Sequence, residues 1–463
     1  MTTIKELGES FRKGSESPAG FIEKTFDKIE NLNPKLNCFI TLLRDSALAA
    51  AEVSERRFDE GEAIGPLDGV PIAIKDLIYI KGVKCTAGSS ILANNVAEYD
   101  SPVTSRLKAA GAVIVGTTNM HEFAAGVTNV NPHYGPVRNP WKTDRVSGGS
   151  SGGSAVAVAT GMVPAAIGTD TGGSVRIPAA LCGILGLKPS YGRVSRLGVI
   201  PLASSFDTVG TLTSSVGDAA LLLSTIAWHE PGDTTTVDSP APDYVSDLSL
   251  PFEGARIGVP ERYFHEQIDP AVEEKFDAFA ERLRQMGCAV EAMEIDGIDE
   301  AKSFWVPIRR AEATAFHSKW LESSPELYGE DVRRILEAGR SVSAVDYVKA
   351  INARPSLMER FAASMKDIDA LIAPAALILA PPIGQASVTI RGNEFDTTST
   401  LLRPTYPFNV VGFPALAIPA GLADGLPVGV QLVGRPFDEA RLLRIAEAYE
   451  AKFGAFPAPP EIN

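Results

Sequence analysis

Gly148 to Pro178 reads GGSSGGSAVAVATGMVPAAIGTDTGGSVRIP, two serine-bearing glycine clusters flanking one small, apolar segment. Glycine lets the backbone approach a ligand closely and turn consecutive N–H groups toward one point, which suits a developing negative charge. Ser150, Ser151, Ser154 and Ser174 supply the hydroxyls. The second cluster, Thr169 to Ser174, follows the apolar stretch Val163 to Gly168 and precedes Val175-Arg176-Ile177-Pro178. In such a turn the N–H groups of Thr171, Gly172, Gly173 and Ser174 can face an oxyanion while the Ser174 hydroxyl attacks. A plain glycine-rich turn is the competing account.

Upstream, Val70-Pro71-Ile72-Ala73-Ile74 is a short apolar run of buried-strand type, and Lys75-Asp76 follows it directly. Burial at the end of such a strand lowers a lysine pKa, and a neutral amine near pH 7 is a capable general base. An ion pair with Asp76, or a lysine reaching to the surface, would account for the same letters. Gly149-Ser150-Ser151-Gly152-Gly153 also matches G-x-S-x-G, the elbow of a Ser/His/acid esterase with Ser151 as nucleophile. The preceding WKTDRVSG is too polar for the buried strand that an elbow needs, and only His121, His133, His229, His265 and His317 could be its base. A phosphate loop would need a lysine after its second glycine, and none is there. A flexible Gly/Ser linker is disfavoured because Ala155 to Ala159 continues into a buried-type segment.

Further out, a capping side chain stands before proline at Ser17-Pro18, Ser101-Pro102 and Asp269-Pro270, each opening an amphipathic run. The second run ends near Gly111 and leads into Ala112 to Val115, and the third ends at Gly287 and leads into Ala289 to Ile295. Helix-then-strand alternation predicts an α/β fold with a layered sheet. Residues 1–60 read as a helical N-terminal layer, with Asp45 capping one helix, and 229–250 as a surface loop between two lobes. Another helix is expected from Asp438. With 463 residues, 45% of them hydrophobic, the chain can bury a large core, and a net charge of −14 argues against a nucleic-acid partner. Cys38, Cys85, Cys182 and Cys288 form no CxxC, and no apolar run reaches membrane length. A cytoplasmic protein without a membrane span is the expectation.

Six blocks together, GPLDGVPIAIKD, GAVIVGTTNMHEFA, RVSGGSSGGSAVAVA, GTDTGGSVRIPA, GLKPSYGRVS and PFNVVGFPALAIPAG, resemble the amidase signature family, and GPVRNPW and GLPVGVQLVG extend the match. The resemblance implies one domain over 1–463 with a large, mixed, twisted β-sheet covered by helices on both faces. Its catalytic core would span 61–228, and 251–463 would form a second lobe completing the sheet and the substrate pocket. It further implies a triad of Ser174 as nucleophile, Ser150 as a bridging serine held by a cis peptide from Gly149, and Lys75 as base. Asp170 and Arg176 would brace the nucleophile turn. Met120, Glu122 and Phe123 would lie in the loop beside the acyl group, with Ser151 also on the substrate side and His121 a polar bystander. No metal or organic cofactor is required, the partner is a small-molecule amide, and a homodimer is left open.

The family contains free-standing amidases and the glutaminase component of the glutamine-dependent aminoacyl-tRNA amidotransferase. Where that component carries an acid for the glutamine amino group, this chain reads Leu401-Leu402-Arg403-Pro404-Thr405. Leu402 and Arg403 suit an apolar or aromatic acyl part, or a carboxylate facing Arg403. Val332-Arg333-Arg334-Ile335 resembles the component's arginine segment and keeps that alternative open. All three triad positions are occupied, which disfavours a binding scaffold without activity. Phe304, Trp305, Phe316 and Trp320 are divided between pocket and core.

Overall fold

The computed structural model describes residues 1–462. Its strands in chain order are β1 Phe39–Leu42, β2 Pro71–Lys75, β3 Val113–Thr118, β4 Ala165–Asp170, β5 Leu185–Lys188, β6 Thr208–Thr213, β7 Arg256–Pro260, β8 Ala289–Met293, β9 Ala370–Pro374, β10 Ser387–Ile390, β11 Asn393–Asp396, β12 Ala415–Ala423 and β13 Leu426–Val433. Eleven of them form one sheet in the order β1-β3-β2-β4-β6-β5-β12-β13-β9-β7-β8, and β10 and β11 pair separately. The sheet is mixed: β3, β2 and β4 run parallel, the run from β4 through β6, β5, β12 and β13 to β9 is antiparallel, and β9, β7 and β8 are again parallel.

The continuous apolar runs of β2, β3 and β4 follow from burial on both faces, for every residue of the three is buried. Side chains still alternate. Ile72, Ile74, Ile114 and Ile167 enter the larger apolar cluster. Ala73, Val113, Val115 and Ala166 point the other way, against the helix Gly152–Ala159. That helix is small and apolar all round, as a fully buried helix must be. Its position puts the first glycine cluster, from which it starts, above the ends of β2 and β4.

The three proline-opened helices start as expected, with Ser17, Ser101 and Asp269 each accepting a hydrogen bond from a backbone N–H of the first turn. Asp45 departs from its expected role. The helix Arg44–Asp59 is preceded by Leu43 without a side-chain cap, and Asp45 sits inside the first turn, where a negative charge still favours the helix N-terminus. The segment 229–250 holds a short helix, Tyr244–Asp247, pinned by the fully buried Tyr244. Among the described residues, no helix is long and apolar enough to cross a membrane.

Candidate active site

Lys75 closes β2, while Thr169 and Asp170 close the neighbouring parallel strand β4, so both strands open toward the same end of the sheet. The Lys75 ammonium is fully buried and donates to three hydroxyls: Ser150 Oγ at 2.7 Å, Ser151 Oγ at 2.9 Å and Thr169 Oγ1 at 2.9 Å. Asp76 does not pair with it; the Thr86 amide and hydroxyl hold Asp76 Oδ2, and Oδ1 has no partner among the described residues. Burial lowers the Lys75 pKa to about 7, against the opposing pull of the Asp170 and Asp207 charges. The Gly149–Ser150 peptide is cis. The Ser151 N–H donates to the Ser174 carbonyl at 3.1 Å, which fastens the two glycine clusters together. The Ser174 residue is 4% exposed.

In the Ser174 turn the four expected oxyanion donors divide. Gly173 is a correction, because its N–H donates to Asp170 Oδ1 at 2.8 Å and is not free. The N–H groups of Thr171, Gly172 and Ser174 have no protein acceptor among the described residues. Gly173 is needed for another reason. Its φ is +134°, and a Cβ there would stand 2.2 Å from Thr405 Oγ1.

Asp170 and Arg176 lie where the bracing role was expected. The Arg176 guanidinium donates to both Asp170 oxygens at 3.0 Å, and also to Asn409 Oδ1, Gln431 Oε1 and the Thr405 carbonyl. Arg176 and Asp170 are wholly buried, and the guanidinium beside Asp170 holds its carboxyl well below the usual range. This network joins β4, the Ser174 turn, β13 and the segment around Thr405. The sequence reading gives no part to Asn409, Gln431 or Thr169, although Asn409 and Gln431 are polar residues in otherwise apolar blocks. It also passes over Asp207, which accepts the Thr171 hydroxyl at 2.6 Å.

The expected substrate contacts are redistributed. Ser151 is a correction: its Oγ meets Lys75 and the β4 backbone at Thr169, leaving no exposed surface. Arg403 is also corrected. Its guanidinium donates to the Tyr263 carbonyl and to Glu266 Oε2 at 2.7 Å, so its charge is already matched. Met120 and Phe123 are buried, and the Phe123 ring packs on His317 and Trp320 with centroids 4.3 and 6.3 Å away. Their loop is nonetheless beside the site, since the His121 N–H donates to the Ser150 carbonyl at 3.2 Å. His121 is more than a bystander, for its ring meets Asp331 at 2.9 Å. Glu122 holds the Gly329 amide, so residues 329–331 buttress the loop. Among the aromatics, Phe304 is core and Phe316 is 40% exposed. Trp305, stacked between Phe206 and Tyr406, presses its ring edge on Gly172, where Leu402 also packs.

A mixed sheet that sets a buried lysine among serines beside a glycine-rich oxyanion turn defines a class of serine hydrolase that needs no histidine. The chain belongs to the amidase family, whose model matches residues 21–443. It is 40% identical over 471 residues to the A component of the glutamyl-tRNA(Gln) amidotransferase of Chloroflexus aggregans (strain MD-66 / DSM 9485), covering 97% of this chain and 96% of that one. Among solved structures it resembles a chain of an unexpected vestigial protein complex described as revealing the evolutionary origins of an s-triazine catabolic enzyme (TM-score 0.95, 34% identity, 98% and 99% of the two chains). It also resembles a protein described as an amidase (TM-score 0.88, 33% identity, 98% and 100% of the two chains). The chain is thus an amidase signature hydrolase acting on C–N bonds.

Proposed function

We propose that this chain is a free-standing amidase that converts a carboxylic amide to a carboxylate and ammonia or an amine through an acyl-enzyme on Ser174. The observation that carries the reading is the 2.7 Å contact from Lys75 Nζ to Ser150 Oγ, made where burial brings the lysine to about 7. Neutral Lys75 takes the Ser150 proton as Ser150 takes that of Ser174. The Ser174 oxygen bonds to the carbonyl carbon, and the N–H groups of Thr171, Gly172 and Ser174 receive the negative oxygen. The C–N bond breaks as the leaving nitrogen takes the proton back by the same route. Water then attacks the acyl carbon, its proton follows that path, and the carboxylate leaves with the Ser174 hydroxyl restored.

The elbow reading finds no support, since the partners of Ser151 Oγ are Lys75 and Thr169 and no histidine is among them. The glutaminase reading, in which the chain supplies ammonia to an amidotransferase, is favoured by the 40% identity to such a component. Against it stand Leu402 on Gly172 and Arg403 paired to Glu266, which leave no carboxylate at this place for a substrate ammonium.

The test is a fluorophosphonate probe together with ammonia release from a panel of primary, aryl and aliphatic amides. Ser174 should take the label, and Ser174→Ala should lose both label and turnover while unfolding at the same temperature. Label at Ser151 with none at Ser174 would overturn the assignment.

A further inference from the structure

The helix Ala301–Ser323 bridges the two sides of the site. Near its start, Trp305 closes on Gly172, where an added Cβ would stand 2.6 Å from Trp305 Cη2. Farther along, His317 and Trp320 pack on Phe123, in the loop that holds Ser150. Positions 305, 309 and 313 fall on one stripe of a helix, so Arg309 lies on the span between these two anchors. Its guanidinium carbon is 5.5 Å from the centre of the Trp305 ring.

No carboxylate answers this cation among the described residues. Nε of Arg309 and Nε of its neighbour Arg310 are buried without a partner. Glu312, one turn on, is taken by the Ser205 amide and hydroxyl and by the Tyr347 hydroxyl. Burial and the like charge of Arg310 lower the Arg309 pKa to about 10, yet the residue keeps some accessible surface. The contrast with Arg403 is direct, because that guanidinium has Glu266. A half-buried cation with no carboxylate beside it is left electrostatically uncompensated, and a chain with net charge −14 has acids to spare but places none here.

The geometry points to Arg309 as an anion subsite, so that the amide hydrolysed carries a carboxylate on its acyl part. A planar guanidinium binds a carboxylate through two parallel hydrogen bonds, which fixes the acyl chain as well as attracting it. The inference rests on the amidase reading and adds a substrate class to it.

The experiment compares kcat and KM for glutaramate, the monoamide of a five-carbon diacid, with those for neutral pentanamide, in the wild type, Arg309→Gln and Arg309→Lys. Thermal unfolding checks that both variants fold. The wild type should prefer glutaramate, and Arg309→Gln should raise its KM by about 10- to 100-fold, the range for a hydrogen bond to a charged group. The preference over pentanamide should collapse, and Arg309→Lys, a point charge without the fork, should restore part of it. Equal use of the two amides by the wild type, or an equal loss on both in Arg309→Gln, overturns the subsite alone. Hydrolysis of neither amide with no fluorophosphonate label at Ser174 overturns the amidase reading and the subsite with it.

Discussion

Lys75 titrates near 7 because it is buried, and the charges of Asp170 and Asp207 keep it from falling further. In the proposed mechanism the active form is the free amine, so kcat/KM on a neutral amide should rise with pH through about 7 and then level. Asp207→Asn keeps an acceptor for Thr171 but removes one of the two charges that hold the proton on Lys75. The rising limb should therefore move to lower pH, and a move upward would sink the assignment. Lys75→Arg and Lys75→Ala should both lose most turnover, since arginine stays protonated and alanine has no base. The same burial makes a prediction about stability. The folded pKa lies below the unfolded value of 10.5, so the penalty of burying a charged lysine is full below about pH 7 and fades as pH rises toward 10.5. Lys75→Met should raise the urea midpoint at about pH 6, and the gain should shrink by about pH 10.

At the scale of elements, the Ser174 turn is held from behind by Arg176. Arg176→Met would strand the Asp170 carboxylate in the interior, so a loss of about 3–5 kcal/mol is expected from urea unfolding. Arg176→Lys keeps a charge but not the fork that reaches Asp170, Asn409 and Gln431 together, and should fall between. Strand β2 with Lys75 at its end, and the capped helices, were legible in the sequence because apolar runs and caps are local signals. Gly173 had a local signal too. Asp170 stands three residues before it, close enough along the chain for its side chain to reach that backbone amide. Ser151 and Arg403 were not legible in this way. Which way a serine faces at the start of a helix, and whether an arginine meets a glutamate 137 positions away, are settled by packing across the sheet.

For the whole molecule, the sequence blocks foretold a large mixed sheet, but not the neighbours within it. The β13 residue Gln431 reaches Arg176 because β5, β12 and β13 lie side by side, and nothing in either block announces that adjacency. Overall likeness also says little about substrate, since a few side chains around Gly172 distinguish an apolar wall from an ammonium site. With Leu402 there, a bound glutamine ammonium would be left without a carboxylate, which costs several kcal/mol. The purified chain, without ATP, tRNA or a second protein, should release ammonia from hydrophobic or aryl amides and from glutaramate faster than from glutamine. Glutamine leading the panel, or ammonia appearing only after a second protein is added, would favour the amidotransferase reading.

The ring of hydroxyls around Lys75 bears on how fast the site can change its proton inventory. An ammonium gives three hydrogen bonds, whereas a free amine gives two and must receive one. Carbonyls or carboxylates in those places could only accept, and losing the proton would leave one of them facing a lone pair. Ser151 Oγ already gives its hydrogen to the Thr169 carbonyl. Ser150 Oγ and Thr169 Oγ1 have no protein acceptor other than Lys75 among the described residues, so both are free to turn, and Ser150 is the one on the proposed proton path. Its turn points a hydrogen at the amine and a lone pair outward, toward whatever next offers a proton. The lysine can thus be recharged by the rotation of a single O–H bond, with every heavy atom staying where it is.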